Sequence, residues 1–226
     1  LFNLHSRIEI SQDGGKTFQR IGAGVHSDTH ALWIDPSRGR RMYAGTDGGV
    51  YESRDRGSHW RFVDNLPAGQ FYHVAVDMDV PFNIYGGMQD NGSWRGPSDL
   101  WRVGGIPNHA WEEVGFGDGF GTVPDPADPN LVYSMSQGGG LVRADRRTGT
   151  RKGIRPWAPE GVELRFNWNA PLALDPLNPG TLYYGSQFVH KTTDRGESWQ
   201  IISGDLTTND PEKQRQEESG GRTPDN

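Results

Sequence analysis

The chain has 226 residues, with 29 acidic and 23 basic side chains, a formal net charge of −6 and no cysteine. The acidic balance, with no Lys/Arg tract, argues against a nucleic-acid-binding face, and without cysteine there is neither a disulfide framework nor a thiolate metal site or nucleophile. No segment approaches the length of a transmembrane helix.

In chain order, the first recognisable strand is Arg7-Ile-Glu-Ile10, and a second follows at Phe18-Gln-Arg-Ile21. From there the sequence repeats. An Asp-x7-Tyr pair occurs as Asp35/Tyr43, Asp77/Tyr85, Asp125/Tyr133 and Asp175/Tyr183, with steps of 42, 48 and 50 residues. Around each pair lie apolar or alternating runs of four to six residues bounded by Gly, Pro, Asp or Asn, the pattern of short antiparallel strands. Four such strands, here called A to D, fill each copy: about 26–64, 70–116, 118–156 and 166–204. A fixed period of this kind predicts an all-β fold, a β-propeller of four-stranded antiparallel blades. Residues 1–22 read as half a blade, so that 1–208 form an open arc, half a blade plus four blades, of a larger propeller. The polar stretch 209–226 reads as a linker or long loop. The chain is therefore expected to be a fragment whose partners include the remaining blades of its parent.

The turn between strands C and D carries Ser/Thr-x-Asp-x-Gly-x-x-Trp/Phe at Ser11 to Phe18, Ser53 to Trp60 and Thr192 to Trp199, with a degenerate copy at Asp145 to Gly149. A short Asp side chain accepts backbone N–H bonds within its own turn, Gly supplies a positive φ, and the aromatic residue packs between neighbouring blades. Asp13, Asp55, Asp145 and Asp194 are thus expected to be structural. These turns resemble the Asp-box, or BNR, repeat.

Further strings, His30-Ala-Leu-Trp-Ile-Asp-Pro36, Gly87-Met-Gln-Asp-Asn-Gly-Ser-Trp94, Ile202-Ser-Gly-Asp-Leu-Thr207 and Ser219 to Asn226, are similar to sortilin-like propellers of large bacterial proteins often labelled glycosyl hydrolases with BNR repeats. The resemblance implies an exported protein, extracellular or periplasmic, although no signal peptide is visible in this segment. The family's propellers include enzymes, sorting receptors and assembly factors, so fold alone does not assign function.

Candidate functional residues lie where the copies differ. The B–C turns place Asp47, Gln89, Gln137 and Gln187 at equivalent positions, each four residues after the repeat Tyr. The D–A connections, on the same face of a blade, add His26-Ser-Asp28-Thr-His30, His73, Asp118, and Asn167 with Asn169. Amides in register suit a polar ligand, peptide or glycan; they equally suit hydrogen bonds to neighbouring blades or channel water. His26, Asp28 and His30 alternate and would share one side of an extended strand, a weak metal-ligand set that needs a further ligand. Neither a metal nor a cofactor is expected. Asp90 and Asp118 are the weak candidates for the acid/base pair of a glycosidase, and the resemblance extends to family 74 xyloglucanases. The Phe/Tyr-Arg-Ile-Pro motif of sialidases is absent. In the second copy, residues 95–110 replace the Asp-box with a longer loop carrying Trp101 and His109, read as a partner-docking loop on the opposite face. Two functions stay open: a non-catalytic module binding a polypeptide or glycan through the B–C/D–A face, or a glycoside hydrolase with part of its site in missing blades.

Overall fold

The computed structural model describes residues 1–66 and 68–212; residues 213–226, most of the expected linker, lie outside the described residues. The chain divides into two compact units, 1–68 and 69 onward.

The first unit holds a three-stranded sheet, β1 (Phe2–Leu4), β2 (Ile8–Ile10) and β3 (Gln19–Arg20), followed by a four-stranded one, β4 (Thr29–Ile34), β5 (Met42–Thr46), β6 (Gly49–Ser53) and β7 (Arg61–Phe62). Where the sequence predicts only strands C and D, the structure adds β1 as strand B, with Phe2 opposite Ile10 and Leu4 opposite Ile8. Three residues around one polar Asn3 are too short a pattern to be read as a strand; cross-strand pairing defines it.

The second unit holds three complete blades. Blade two is β8 (Val74–Val76), β9 (Asn83–Met88), β10 (Gly92–Pro97) and β11 (Glu112–Gly115). Blade three is β12 (Gly119–Pro124), β13 (Leu131–Ser136), β14 (Gly140–Asp145) and β15 (Thr150–Gly153). Blade four is β16 (Leu172–Leu174), β17 (Leu182–Gly185), β18 (Val189–Thr192) and β19 (Gln200–Ile201). Every neighbouring pair is antiparallel and consecutive, so each sheet is an up-and-down meander, the blade of a β-propeller. The fold is all-β, as the period predicts.

The Asp-x7-Tyr period has a direct structural cause. Tyr133 donates its hydroxyl to Asp125 Oδ2 at 2.7 Å and Tyr85 donates to Asp77 Oδ2 at 2.8 Å, with a longer 3.4 Å bond from Tyr183 to Asp175. The same carboxylates accept the turn N–H groups that follow strand A, as Asp125 does from Ala127 and Asp128. The pair thus fixes the A–B turn against strand B. The first copy departs: Tyr43 donates instead to Glu52 Oε1 at 3.2 Å, and Asp35 serves only its own turn.

The C–D turns repeat another device. Gly15, Gly57 and Gly196 donate their N–H to the Ser11, Ser53 and Thr192 hydroxyls, at 2.8, 2.8 and 3.0 Å. Asp13, Asp55 and Asp194 each accept a backbone N–H four residues on, at 2.9 Å in all three. Asp145 accepts the Arg147 N–H at 2.9 Å. The residue after the Asp and the Gly that follows both take positive φ, 66° and 87° at Arg56 and Gly57 and 61° and 84° at Arg195 and Gly196. The turn aromatic reaches the preceding sheet. Trp60 Nε1 donates to Ile21 O and Trp199 Nε1 to Ile154 O, both at 2.8 Å. A Cβ on Gly57 or Gly196 would fall 2.7 Å from the side chain of that same isoleucine.

In the second unit the main core lies between blades three and four: Phe120, Tyr133, Met135, Leu141, Ile154, Phe166, Ala170, Leu182 and Tyr184. A smaller cluster of Tyr85, Val114 and Val132 joins blades two and three. Ion pairs add to both seams, with Arg195 Nε on Asp125 Oδ2 at 2.8 Å, Arg143 on Glu197 at 2.8 Å and Arg146 on Glu112 at 2.8 Å.

Candidate functional site

The B–C turns and D–A connections of the second unit are sewn together by backbone bonds to side chains. In blade three, Gln137 Oε1 accepts the Asp118 N–H at 2.8 Å. In blade four, Gln187 Oε1 accepts the Arg165 N–H at 2.9 Å, and its Nε2 donates to Glu163 O at 2.8 Å. These two amides therefore use the same carbonyl oxygen to clamp the incoming connection of their own blade. Gln187 is buried, and Leu206 donates its N–H to Gln187 O at 2.8 Å. Gln137 stays exposed.

Blade two breaks the pattern. Gln89 is exposed, and its Oε1 accepts the hydroxyl of Tyr72 rather than a backbone N–H. The next residue, His73, meets Asn169 from the connection into blade four, with Asn169 Nδ2 3.0 Å from His73 Nε2. Asn169 is in turn fixed by its N–H on Asn167 Oδ1 at 3.1 Å. The structure thus brings His73, Asn167 and Asn169 together, although 96 residues separate the first from the last. Gln89 sits beside them through Tyr72.

Asp90 and Asp118 also meet, but not as two facing acids. The Asp90 N–H donates to Asp118 Oδ1 at 2.9 Å, and Asp118 is only 8% exposed. Asp90 takes φ 61°, a turn conformation that aims its N–H at that carboxylate. One candidate acid is therefore committed to holding the blade-two turn against the next connection. Gly119 makes the approach possible, since a Cβ there would lie 2.2 Å from Gly92 O.

The first unit gives its own correction. His26, Asp28 and His30 do not share one side of a strand. β4 begins only at Thr29, Asp28 takes φ 60°, and the register shifts between Thr29 and Ala31. His26 Nδ1 instead lies 3.0 Å from Ser27 O, and His30 Nε2 pairs with Asp47 Oδ1 at 2.6 Å. Strand alternation, on which that metal set rested, fails at the left-handed Asp28. Among the described residues no group of three His, Cys, Asp or Glu side chains could hold a metal ion.

Carboxylates of the C–D turns are strongly acidic. The Ser198 and Thr192 hydroxyls and the Ser198 N–H hold Asp194 down to about 2, and the His59 N–H and ring hold Asp55 down to about 2. They lie in turns, hydrogen-bonded locally, and belong to the scaffold.

Four exposed or half-exposed aromatics of this face are not among the residues the sequence singles out. Tyr72 is 46% exposed, Phe116 and Trp157 stand out at the D ends of blades two and three, and Trp168 is half-buried. The available signal is a large ring inside a D–A connection, where a turn calls for none.

No helix among the described residues is long and apolar enough to cross a membrane. No protein-family model matches the chain, and no curated protein matches it. Among solved structures it is similar to a family GH74 xyloglucanase from Xanthomonas campestris, 19% identical with a TM-score of 0.41 over 88% of this chain and 34% of that one. YCF48, solved bound to D1 peptide, is 13% identical with a TM-score of 0.42, over 89% and 63%. A Bacteroides thetaiotaomicron protein of unknown function is 16% identical with a TM-score of 0.45, over 80% and 46%. The chain spans about a third of the xyloglucanase's length and less than two thirds of each of the other two.

Proposed function

We propose that the chain is a segment of an Asp-box β-propeller within a longer exported protein, extracellular or periplasmic, and serves as a non-catalytic module that binds a polypeptide or glycan. Residues 1–208 supply the repeat array, and the ligand meets the B–C/D–A face of the second unit at Gln89, Asp90, Gln137, His73, Asn167 and Asn169, whereas Gln187, buried with both amide ends bonded, is part of the scaffold. The observation that carries the reading is the fate of Asp118. Glycoside hydrolysis needs two carboxyl groups facing a scissile bond, one of them as a proton donor. Asp118 is buried and its Oδ1 accepts the Asp90 N–H, so this carboxyl is spent on the blade-two turn rather than set facing a second acid. Gln89 and Gln137, by contrast, are exposed, and among the described residues their side-chain bonds use only Oε1.

A paired assay tests this. The chain is screened for binding and for release of reducing ends against the same set of polysaccharides, alongside a peptide array. Binding without hydrolysis, unaffected by Asp118→Asn in a variant that still folds, is the expected result. Glycan hydrolysis that Asp90→Asn or Asp118→Asn abolishes would replace the binding module with a glycosidase.

A further inference from the structure

We propose that, on the binding face just described, the ligand is a neutral polyhydroxylated chain, a glycan, and that it seats on Tyr72 with Gln89, His73 and Asn169 around it. The inference rests on the binding reading and adds to it the ligand's chemistry and the residue that receives it.

Blade two is where the repeat departs from itself on this face. Gln137 and Gln187 spend their carbonyl oxygens on backbone N–H groups, whereas Gln89 spends its own on a side chain, the Tyr72 hydroxyl. The Tyr72 N–H is already fixed on Gly87 O at 2.9 Å, so the Gln89 bond is not needed to satisfy the backbone of that connection. It does hold an exposed phenol ring in one orientation. Behind the ring stands an aromatic support drawn from the connection into blade two, strand β12 and the connection into blade four. Tyr72 lies 4.7 Å from Phe120, and Phe120 meets Trp168 edge-on at 6.3 Å. A rigid ring with one open face is the partner that the C–H face of a pyranose stacks on.

The polar groups beside the ring select the same chemistry. With Oε1 used by Tyr72, Gln89 offers Nε2 as a donor; with Nδ2 used by His73, Asn169 offers Oδ1 as an acceptor. Neither outward atom has a protein partner among the described residues. One donor and one acceptor side by side complement hydroxyl groups, which both give and receive. The charged groups nearby are engaged: Asp118 on the Asp90 N–H, and Arg165 on Asp205 at 2.6 Å and Thr207 at 3.0 Å. A charged ligand therefore finds no uncommitted counter-ion in Asp118 or Arg165. An extended peptide adding as a strand would need open backbone groups on the connections. The N–H groups of Tyr72, Asp118 and Arg165 are all taken.

The test uses the 226-residue chain and affinity electrophoresis in gels cast with hydroxyethyl cellulose, galactomannan or alginate, together with a peptide array. Retardation by a neutral polymer and not by alginate is expected. Tyr72→Ala should weaken it about tenfold or more, Tyr72→Phe should retain most of it, and Asn169→Ala should weaken it several-fold. Gly153→Ala, on the exposed strand β15, serves as the folded control. Peptide binding that Tyr72→Ala abolishes, with no polysaccharide retarding the chain, would overturn the glycan and leave the binding face standing. Polysaccharide binding indifferent to Tyr72 and Asn169 would overturn the seat. No binding by the folded chain to any probe would overturn both this inference and the binding module.

Discussion

Asp125 carries four bonds on one buried carboxylate: the Ala127 and Asp128 N–H groups of its turn, the Tyr133 hydroxyl and the Arg195 guanidinium of the next blade. Burial alone would raise its pKa, yet Arg195 with Tyr133 and the Ala127 N–H outweighs it and holds the carboxyl below its ordinary value. Removing Arg195 leaves that charge buried without its ionic partner. Arg195→Ala should therefore cost on the order of 2 kcal/mol in urea unfolding. In the Asp125→Asn background the same change should cost clearly less, and an equal cost in both would show that the pair is not coupled. The sign of the pH dependence follows from the same groups. A carboxylate depressed in the folded state, as at Asp125, Asp55 and Asp194, contributes stability that is present above about pH 4 and lost as pH falls toward the folded value. His190, 1% exposed and bonded through Nε2 to Ser186 at 2.7 Å, is depressed by burial. The unfolded chain therefore takes up that proton first, and stability should begin to fall below about pH 6.5, before the carboxylates titrate. His190→Gln should flatten this first decline in the urea midpoint and leave the second, acid one. A wild-type midpoint constant from pH 7 to 5 would contradict the assignment.

At the scale of the blade, close approach decides more than propensity. A Cβ on Gly87 in β9 would lie 2.2 Å from Phe120 N in β12, so Gly87→Ala must part blades two and three, and a loss of roughly 3 kcal/mol or failure to fold is expected. Gly153, on the exposed edge strand of blade three, has nothing within 4 Å of its would-be Cβ and no left-handed φ. Gly153→Ala should be neutral or stabilising by a few tenths of a kcal/mol. Similar thermal shifts for the two variants would refute the packing account. These seams also mark how far the chain could be read in advance. Asp125 with Tyr133, or Ser53 with Asp55 and Gly57, is a local bond at fixed spacing, so the period and the turns stand in the residues themselves. So does the inter-blade role of Trp60 and Trp199, because a large ring at the end of a turn has only the neighbouring sheet to pack on. β1 escapes notice because two apolar residues make no pattern until Ile8 and Ile10 lie opposite. The candidate site was legible only as residue types. His73 and Asn169 meet across 96 positions, and Asp28 leaves the strand by a backbone φ that no alternation of His and Asp encodes.

For the whole chain, stability should be distributed as the cores are. A repeat fold gains stability from nearest-neighbour interfaces, and local opening is governed by the apolar contacts that must break. The seam of blades three and four encloses nine buried apolar residues, from Phe120 to Tyr184, whereas that of blades two and three has three. In the N-terminal sheet β3 is two exposed residues, Gln19 and Arg20, and Ile8 is the buried apolar residue of all three strands. Amide exchange should therefore be slowest in β13, β14 and β17 and fastest in β1 and β3, with β9 between them. Exchange of β13 should approach the global unfolding free energy, because Val132, Tyr133 and Met135 are each at most 1% exposed and face both seams. Val132→Ala then becomes informative: it lies in the smaller cluster with Tyr85 and Val114, so it should speed exchange in β9 and β11 before it affects β17. Uniform acceleration across the three blades would mean that they open as one cooperative unit, and that the smaller seam is not the weaker one.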